Sequence, residues 1–222
     1  LNECKITPET TYEDKGFVEI DGYTIKNSDL KAHGRQTMTE VLEKSLNTGA
    51  IFVKEQIGNE KFYEYVKKFG FGKSTGIELL EHKGNLDNLK VDIKINYHTA
   101  SFGQGISVTP IQLVQAFTAI ANGGKMVEPF VVKAKVLAEG KAEETVLPQP
   151  QQVISEKTAN TVVAMMVSVV ESGHGRRAGV KGYYIAGKTG TAQIPKKDGK
   201  GYEPDATIGS FVGFGPVEDP KF

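Results

Sequence analysis

The sequence predicts a mixed α/β domain of the α+β kind, with helices flanking an antiparallel sheet. Apolar residues recur at helical spacing through the middle of the chain, whereas strand-forming residues concentrate near its end. The strand-like segments do not alternate with helices as they would in a doubly wound parallel sheet. A chain of 222 residues with 39% hydrophobic residues can bury one substantial core, so we expect a single domain.

The first predicted helix follows a polar lead-in. Residues 1–36 are rich in Thr, Gly, Asp and Asn and predict irregular structure with short strands. Thr37 and Glu40 then match a capping box, in which each side chain satisfies a backbone N–H group at the start of the helix. The helix should continue to about Lys44 and be interrupted over residues 45–49.

Four further helices are predicted downstream. The second ends at Gly58 and the third, which carries apolar side chains on one face, ends at Gly70. Thr109-Pro110 marks the start of another helix because proline is favoured at the first helical position. Ser155 can cap a long apolar helix that runs to about Ser172.

Strands are predicted in the second half of the chain. Residues 130–147 alternate around a Glu139–Lys141 turn, which indicates a hairpin. Two strands, roughly 183–194 and 207–215, should follow, joined by a polar turn at Lys196–Gly201. The domain thus divides into an irregular lead-in, a helical part and a strand-rich part: 1–36, 37–125 and 126–222.

Composition argues against several classes of function. Lys plus Arg and Asp plus Glu number 27 each, and we find no basic stripe with interleaved aromatics, so we expect no nucleic-acid partner. The single Cys4 cannot form an internal disulfide. The histidines are scattered without helical partners, so we expect no metal and no other cofactor. They are His33, His82, His98 and His174.

The segment Gly187–Thr191 fits two unrelated catalytic motifs. Residues 182–189 match the phosphate-loop pattern G-x-x-x-x-G-K-[ST], whereas Lys188-Thr189-Gly190 is a K-T-G element. A phosphate loop needs small residues and a helix that begins at the lysine. Here the loop positions read Tyr-Tyr-Ile-Ala, and glycine and proline follow, so a strand is favoured. A phosphate-loop nucleotide hydrolase is kept as a remote alternative.

As a strand, the K-T-G segment could bind a carboxylate. Regular alternation places Lys188 and Gly190 on one face and Thr189 and Thr191 on the other. Lysine supplies positive charge, the threonines supply hydroxyls, and glycine leaves space for a close substrate backbone. On its own, this tripeptide is more typical of an exposed turn.

A second short motif lies at the predicted helix interruption. Ser45-Leu46-Asn47 is an S-x-N triplet whose polar side chains could point into a cleft. Serine and asparagine are also the usual capping residues, so a cap is the alternative interpretation. The order S-x-N followed by K-T-G is typical of penicillin-recognising serine enzymes.

Four blocks together resemble the transpeptidase domain of class B penicillin-binding proteins. They occur in the family's order from about Thr37 to the end of the chain, which is far more specific than any one block. The blocks are Glu40–Gly49, Phe102–Leu113, Ala186–Ala192 and Ser210–Pro216. Within the second block we interpret Gly103-Gln104-Gly105 as a structural turn that leads into the Thr109 helix.

The family's nucleophile belongs to an S-x-x-K motif, and the chain has one such match, Ser28-Asp-Leu-Lys31. It lies in a polar run with little apolar face, whereas a nucleophile needs a rigid, packed helix. We therefore interpret the match as coincidental. The resemblance implies that the active-site helix lies upstream of Leu1 and that further strands follow Phe222, so this chain would be a partial transpeptidase domain, inactive alone.

The resemblance also implies a function. A serine would attack the D-Ala–D-Ala bond of a peptidoglycan stem peptide, form an acyl-enzyme and transfer it to a neighbouring stem. Implied partners are stem peptides on a lipid-linked precursor, β-lactams, and other cell-wall synthesis or division proteins. The implied location is the extracytoplasmic face of the bacterial membrane, with an anchor outside this chain. A β-lactam sensor or non-catalytic homologue is the alternative.

Roles for individual residues follow from the same resemblance. Ser45 would relay a proton to the leaving group, and Asn47 would hold the amide of the acyl chain. Lys188 would keep the local potential positive. Thr189 and Thr191 would bind the terminal carboxylate through their hydroxyls. The Thr191 N–H would form half of an oxyanion hole.

Overall fold

The computed structural model describes residues 1–3, 5–196 and 201–222. Cys4 therefore lies outside the described residues, as does most of the polar turn predicted at Lys196–Gly201. Five α-helices account for much of the described chain: α1 Met38–Lys44, α2 Asn47–Lys68, α3 Lys94–Ser101, α4 Pro110–Ala121 and α5 Glu156–Glu171. Two short 3-10 helices add Asp87–Leu89 and Arg176–Ala178.

Ten strands form five antiparallel pairs within the described residues. The pairs are β1 Thr11–Asp14 with β4 Gly34–Thr37, β2 Phe17–Ile20 with β3 Tyr23–Lys26, β5 Lys125–Met126 with β8 Gln151–Gln152, β6 Ala134–Val136 with β7 Ala142–Glu144, and β9 Ala186–Pro195 with β10 Tyr202–Phe214. The predicted mixture of helices and antiparallel sheet is confirmed.

The predicted helix starts are confirmed because their signals are local. Thr37 accepts from the Glu40 N–H while the Glu40 carboxylate accepts from the Thr37 N–H, which completes the capping box of α1. Thr109 starts α4 with a second capping box, and Ser155 caps α5. Gly58 breaks the helical geometry of α2 with φ +79°, where glycine carries no steric penalty.

Several predicted boundaries are wrong. The interruption after α1 covers only Ser45 and Leu46, since α2 resumes at Asn47. The 130–147 hairpin is reduced to two strands of three residues each. Strand β9 begins at Ala186 rather than near 183, because Tyr183 pairs with Val180 across a turn that contains Gly182 at φ +88°. Helix α3 was not predicted.

Helix α5 organises the part of the core that matters for the site. Met165 packs with Met38, Val41 and Leu46 from α1 and the α1–α2 junction. The next residue, Met166, packs with Ala186 of β9 and Phe214 of β10. Adjacent positions on one helix thus hold the end of α1 and the start of β9 close together.

Candidate active site

Ser45 occupies a strained position at the end of α1. It is the C-cap residue with φ 54° and ψ 50°, in the left-handed region where glycine is the usual residue. Its N–H donates to Leu42 O and Val41 O, so the turn closes despite the side chain. Left-handed conformations of non-glycine residues cost about 1–2 kcal/mol and cluster at functional sites.

The Ser45 hydroxyl contacts Lys188, which lies 143 residues away in the sequence. Lys188 Nζ donates to Ser45 Oγ at 2.7 Å and to Thr189 O at 2.9 Å. Within the described part of the chain, no carboxylate forms an ion pair with Lys188. Because burial disfavours the ammonium form, the pKa of Lys188 is lowered to about 8.

Glu43 ties the end of α1 to its surroundings, two residues before Ser45. Its carboxylate accepts a hydrogen bond from the Ser168 hydroxyl on α5. Its backbone carbonyl accepts from His174 N at 2.9 Å, in the turn that follows α5. Both contacts hold the backbone that leads into Ser45.

Asn47 is the first residue of α2 and lies on the other side of the junction. Its side-chain Nδ2 donates to the backbone O of Lys26 at 2.9 Å, at the end of β3. Among the described residues, this is the hydrogen bond that the Asn47 side chain makes. Its amide oxygen and second N–H are therefore available to a ligand. Asn47 makes no direct hydrogen bond to Ser45 or Lys188 within the described residues.

The K-T-G segment forms the first half of β9, paired regularly with β10. The register runs without a shift from Ala186 opposite Phe214 to Gln193 opposite Thr207, so Lys188 and Gly190 share a face and Thr189 and Thr191 share the other. Thr189 is half-buried, whereas Thr191 is exposed.

Gly190 faces a side chain that the sequence did not indicate. A Cβ atom at Gly190 would come within 2.5 Å of Ser210 Oγ on β10. Ser210 is directly opposite Gly190, so its hydroxyl lies on the same face of the sheet as Lys188. The missing side chain at 190 makes room for Ser210, and close approach of a substrate backbone there stays a prediction.

Other sequence interpretations can be compared with the structure directly. Ser28 lies in an exposed turn rather than on a helix, which agrees with the interpretation of Ser28–Lys31 as coincidental. Lys188 lies within β9 and does not begin a helix, so the phosphate-loop alternative lacks the helix it requires. Gly103 and Gly105 have φ +88° and +72°, as expected of a structural turn.

Sequence reasoning missed the residues that support the site from elsewhere in the chain. Strand register places Ser210 opposite Gly190, and packing of α1 against α5 brings Glu43 to Ser168. The backbone carbonyl of Lys26 accepts from Asn47. The available signal is that Glu43 and Ser210 each belong to a block that resembles the family. Lys26 contributes a main-chain atom, which no residue type can indicate.

The fold and the site define a class of protein. A Lys-Thr-Gly strand beside a Ser-x-Asn helix junction is the arrangement of penicillin-recognising serine acyltransferases. The chain belongs to the penicillin binding protein transpeptidase domain family, whose model matches residues 1–222.

Relatives and solved structures agree with this assignment. The chain is 42% identical to Stage V sporulation protein D of Bacillus subtilis, over 100% of this chain and 34% of that protein. It is 34% identical to the peptidoglycan D,D-transpeptidase FtsI of Buchnera aphidicola, over 100% of this chain and 37% of that protein. The chain therefore spans about a third of the length of the curated relatives it matches.

The fold matches crystal structures over nearly its whole length. Penicillin binding protein 3 of Mycobacterium tuberculosis, complexed with aztreonam, aligns with a TM-score of 0.92 and 32% identity, covering 99% of this chain and 51% of that one. The D,D-transpeptidase domain of a peptidoglycan glycosyltransferase from Eggerthella lenta aligns with a TM-score of 0.86 and 26% identity, covering 99% and 54%. Of the described helices, none is long and apolar enough to cross a membrane.

Proposed function

We propose that this chain is part of the catalytic domain of a peptidoglycan D,D-transpeptidase that cross-links stem peptides and is acylated by β-lactams. The observation that carries the proposal is the 2.7 Å contact between Lys188 Nζ and Ser45 Oγ, which joins the K-T-G strand to the S-x-N junction. The helical part (37–125) supplies Ser45 and Asn47, and the strand-rich part (126–222) supplies Lys188, Thr189, Gly190 and Thr191.

The protonation of Lys188 suits a proton relay. A pKa of about 8 leaves the ammonium form predominant at neutral pH, but only by a modest margin. As an ammonium group, Lys188 donates to Ser45 Oγ, which leaves the Ser45 proton free for the departing amine of D-alanine. When Ser45 gives up that proton, Lys188 replaces it from Nζ, so charge does not accumulate on the serine oxygen.

The strand edge offers groups for the substrate carboxylate and the developing oxyanion. In a regular antiparallel strand, residues two apart direct their N–H and C=O groups to the same edge. Thr189 O accepts from Lys188, which is itself bound to Ser45, so the Thr189 edge faces the site. The Thr191 N–H then points to the same edge and is the proposed half of the oxyanion hole. The Thr189 and Thr191 hydroxyls are the proposed carboxylate ligands, and Asn47 is the proposed ligand of the acyl amide.

We propose that the attacking serine lies outside these 222 residues. Ser28 and Lys31 belong to an exposed turn without helical geometry, so they cannot form a preorganised nucleophile pair. The whole protein would then act at the extracytoplasmic face of a bacterial membrane, where peptidoglycan precursors are presented on lipid.

A fluorescent penicillin tests the proposal. We expect covalent labelling of the longer protein that contains this chain, and no labelling of the 222-residue chain alone. Labelling of the isolated chain that maps to Ser28 would overturn the assignment of the nucleophile. Labelling of the longer protein without cross-linking of stem peptides would identify a β-lactam sensor instead. Absence of any labelling would remove the transpeptidase proposal altogether.

A further inference from the structure

The lead-in places a buried carboxylate behind the S-x-N junction. Asp14, the last residue of β1, is 1% exposed, yet among the described residues it forms no ion pair. A buried carboxylate is costly unless hydrogen bonds replace its hydration. Four donors do so here: Gly16 N at 2.9 Å and Thr48 Oγ1 at 2.8 Å on Oδ1, and Asn27 Nδ2 at 2.8 Å and His33 N at 3.1 Å on Oδ2.

The charge of Asp14 determines which way the Asn27 amide faces. A carboxylate only accepts hydrogen bonds, so the Asn27 NH₂ group must face Asp14 Oδ2, and it also donates to Lys31 O at 3.1 Å. The amide oxygen must then face the other way, where it accepts from Thr48 N at 3.3 Å. Flipping the amide would set an acceptor against the carboxylate and a donor against the Thr48 N–H.

The phenolic hydroxyl of Tyr12 completes the cluster. Tyr12 O and Thr48 Oγ1 are 3.0 Å apart, and burial raises the pKa of Tyr12 to about 12. Tyr12 therefore keeps its proton and donates to Thr48 Oγ1, whose own proton goes to Asp14. The Thr48 hydroxyl also lies 3.2 Å from Asn27 Oδ1, but the Asp14 carboxylate, at 2.8 Å, is the nearer acceptor and carries the charge.

Two neighbouring hydrogen bonds connect this cluster to the α1–α2 junction. Lys26 O accepts from the Asn47 side chain, and Asn27 Oδ1 accepts from the N–H of the next residue, Thr48. One of the free backbone N–H groups at the start of α2, that of Thr48, is therefore held from another segment, since Leu46 at the N-cap makes no side-chain cap. A shift of residues 26–27 would move the Asn47 amide.

We infer that Asp14 and Asn27 are positioning residues that orient the Asn47 amide for the acyl chain of the substrate. This inference rests on the proposed transpeptidase function for its catalytic meaning. The clamp itself, the two hydrogen bonds from Asn47 and Thr48 to residues 26–27, is a property of this chain. The lead-in is thereby a support for the S-x-N motif rather than a peripheral segment. Asp14→Asn keeps the shape of the side chain but turns an NH₂ group toward N–H and O–H donors.

The first test reads the clamp without activity. In ¹⁵N–¹H spectra of the full chain, the two Asn47 side-chain N–H signals, assigned by their loss in Asn47→Ala, should be separate because one donates to Lys26 O. Asp14→Asn should shift and broaden them toward the values of a free amide. The matched control is Asp21→Asn, the same change at an exposed turn, which should leave them in place. Unchanged Asn47 signals in Asp14→Asn would contradict the clamp.

The second test separates positioning from a merely structural role. In the longer protein with its nucleophile, Asp14→Asn should slow acylation by fluorescent penicillin by about ten- to a hundredfold, since a misplacement of about 1 Å can cost about 10²-fold in rate. In an Asn47→Ala background, Asp14→Asn should slow it no further. An equal slowing in both backgrounds, or none with Asn47 present, would overturn the inference.

A second pair of variants covers the case in which Asp14→Asn does not fold. Thr48→Val removes the hydroxyl between Asp14 and Tyr12 at nearly constant volume, whereas Thr48→Ser retains it. We expect slower acylation with valine and the original rate with serine; equal rates for the two would contradict the inference. If even the unchanged longer protein is not labelled, the proposed function fails, and the Asn47 signals still decide whether the clamp exists.

Discussion

Two charged side chains with reduced access to water, Asp14 and Lys188, differ in how completely hydrogen bonds replace their hydration. Asp14 is surrounded by four donors that match its two oxygens. Among the described residues, Lys188 has one hydroxyl and one carbonyl as hydrogen-bond partners and no carboxylate, and burial lowers its pKa to about 8. Asp14 is thus saturated with hydrogen bonds, whereas the Lys188 ammonium group can donate one more.

The difference separates a structural charge from a reactive one. A saturated carboxylate fixes the orientation of its neighbours, because every donor has one acceptor to satisfy. An under-solvated ammonium can give up a proton near neutral pH, which is the property that a relay requires.

The largest effect should come from removing the reactive charge. We expect Lys188→Met to lower the rate of acylation of the longer protein by about a thousandfold, since loss of a preorganised electrostatic group costs about 10²–10³ in rate. The same change removes a poorly hydrated charge, so Tm should stay constant or rise. Penicillin labelling and thermal melts measure the two effects. A large loss of Tm would mean that Lys188 is structural.

Removing the saturated charge should act on stability instead. Asp14→Ala leaves the buried Gly16 N–H and one N–H of the Asn27 amide without an acceptor, and we expect the free energy of unfolding to fall by about 3 kcal/mol. Urea unfolding of the chain measures this. Glu19→Ala, an exposed acidic residue in the same lead-in, is the control and should change stability little. Equal effects of the two substitutions would contradict the distinction between them.

The pH profile of acylation tests the lowered pKa. If the ammonium form of Lys188 is the active one, acylation should fall as pH rises through about 8, by about tenfold per unit at higher pH. The sign follows because Lys188 loses its proton over this range. In Lys188→Arg, whose side chain stays charged, whatever activity remains should lack this limb. A rate that increases through pH 8 would instead assign Lys188 as a general base.

The smallest effect on stability should come from removing a hydrogen bond that is partly exposed to water. Thr37→Ala removes the hydroxyl that accepts from Glu40 N at 3.2 Å, and we expect a loss of about 1 kcal/mol, typical of an N-cap. Thr39→Ala, in the same first turn, removes only a 3.5 Å contact with Pro8 O and serves as the control. A Thr37 effect as large as that of Asp14 would weaken the link between burial and cost.

Local signals in the sequence predicted the elements that depend on neighbouring residues. The capping box at Thr37 and the proline at 110 predicted the starts of α1 and α4, because each signal lies within one helical turn. The K-T-G segment was predicted to be a strand because the bulky residues 183–186 precede it and Gly190 would break a helix. Helix α3, which lacks a cap at Ile93, offered no such signal.

The sequence by itself determined the helix caps, the strand character of the K-T-G segment and the order of the S-x-N and K-T-G motifs. Only the tertiary structure decided that Lys188 reaches Ser45, that Ser210 faces Gly190, and that Asp14 stands behind Asn47. Caps and alternation depend on residues a few positions apart. Contacts across 143 residues depend instead on how α5 packs against both α1 and β9, which no local pattern encodes.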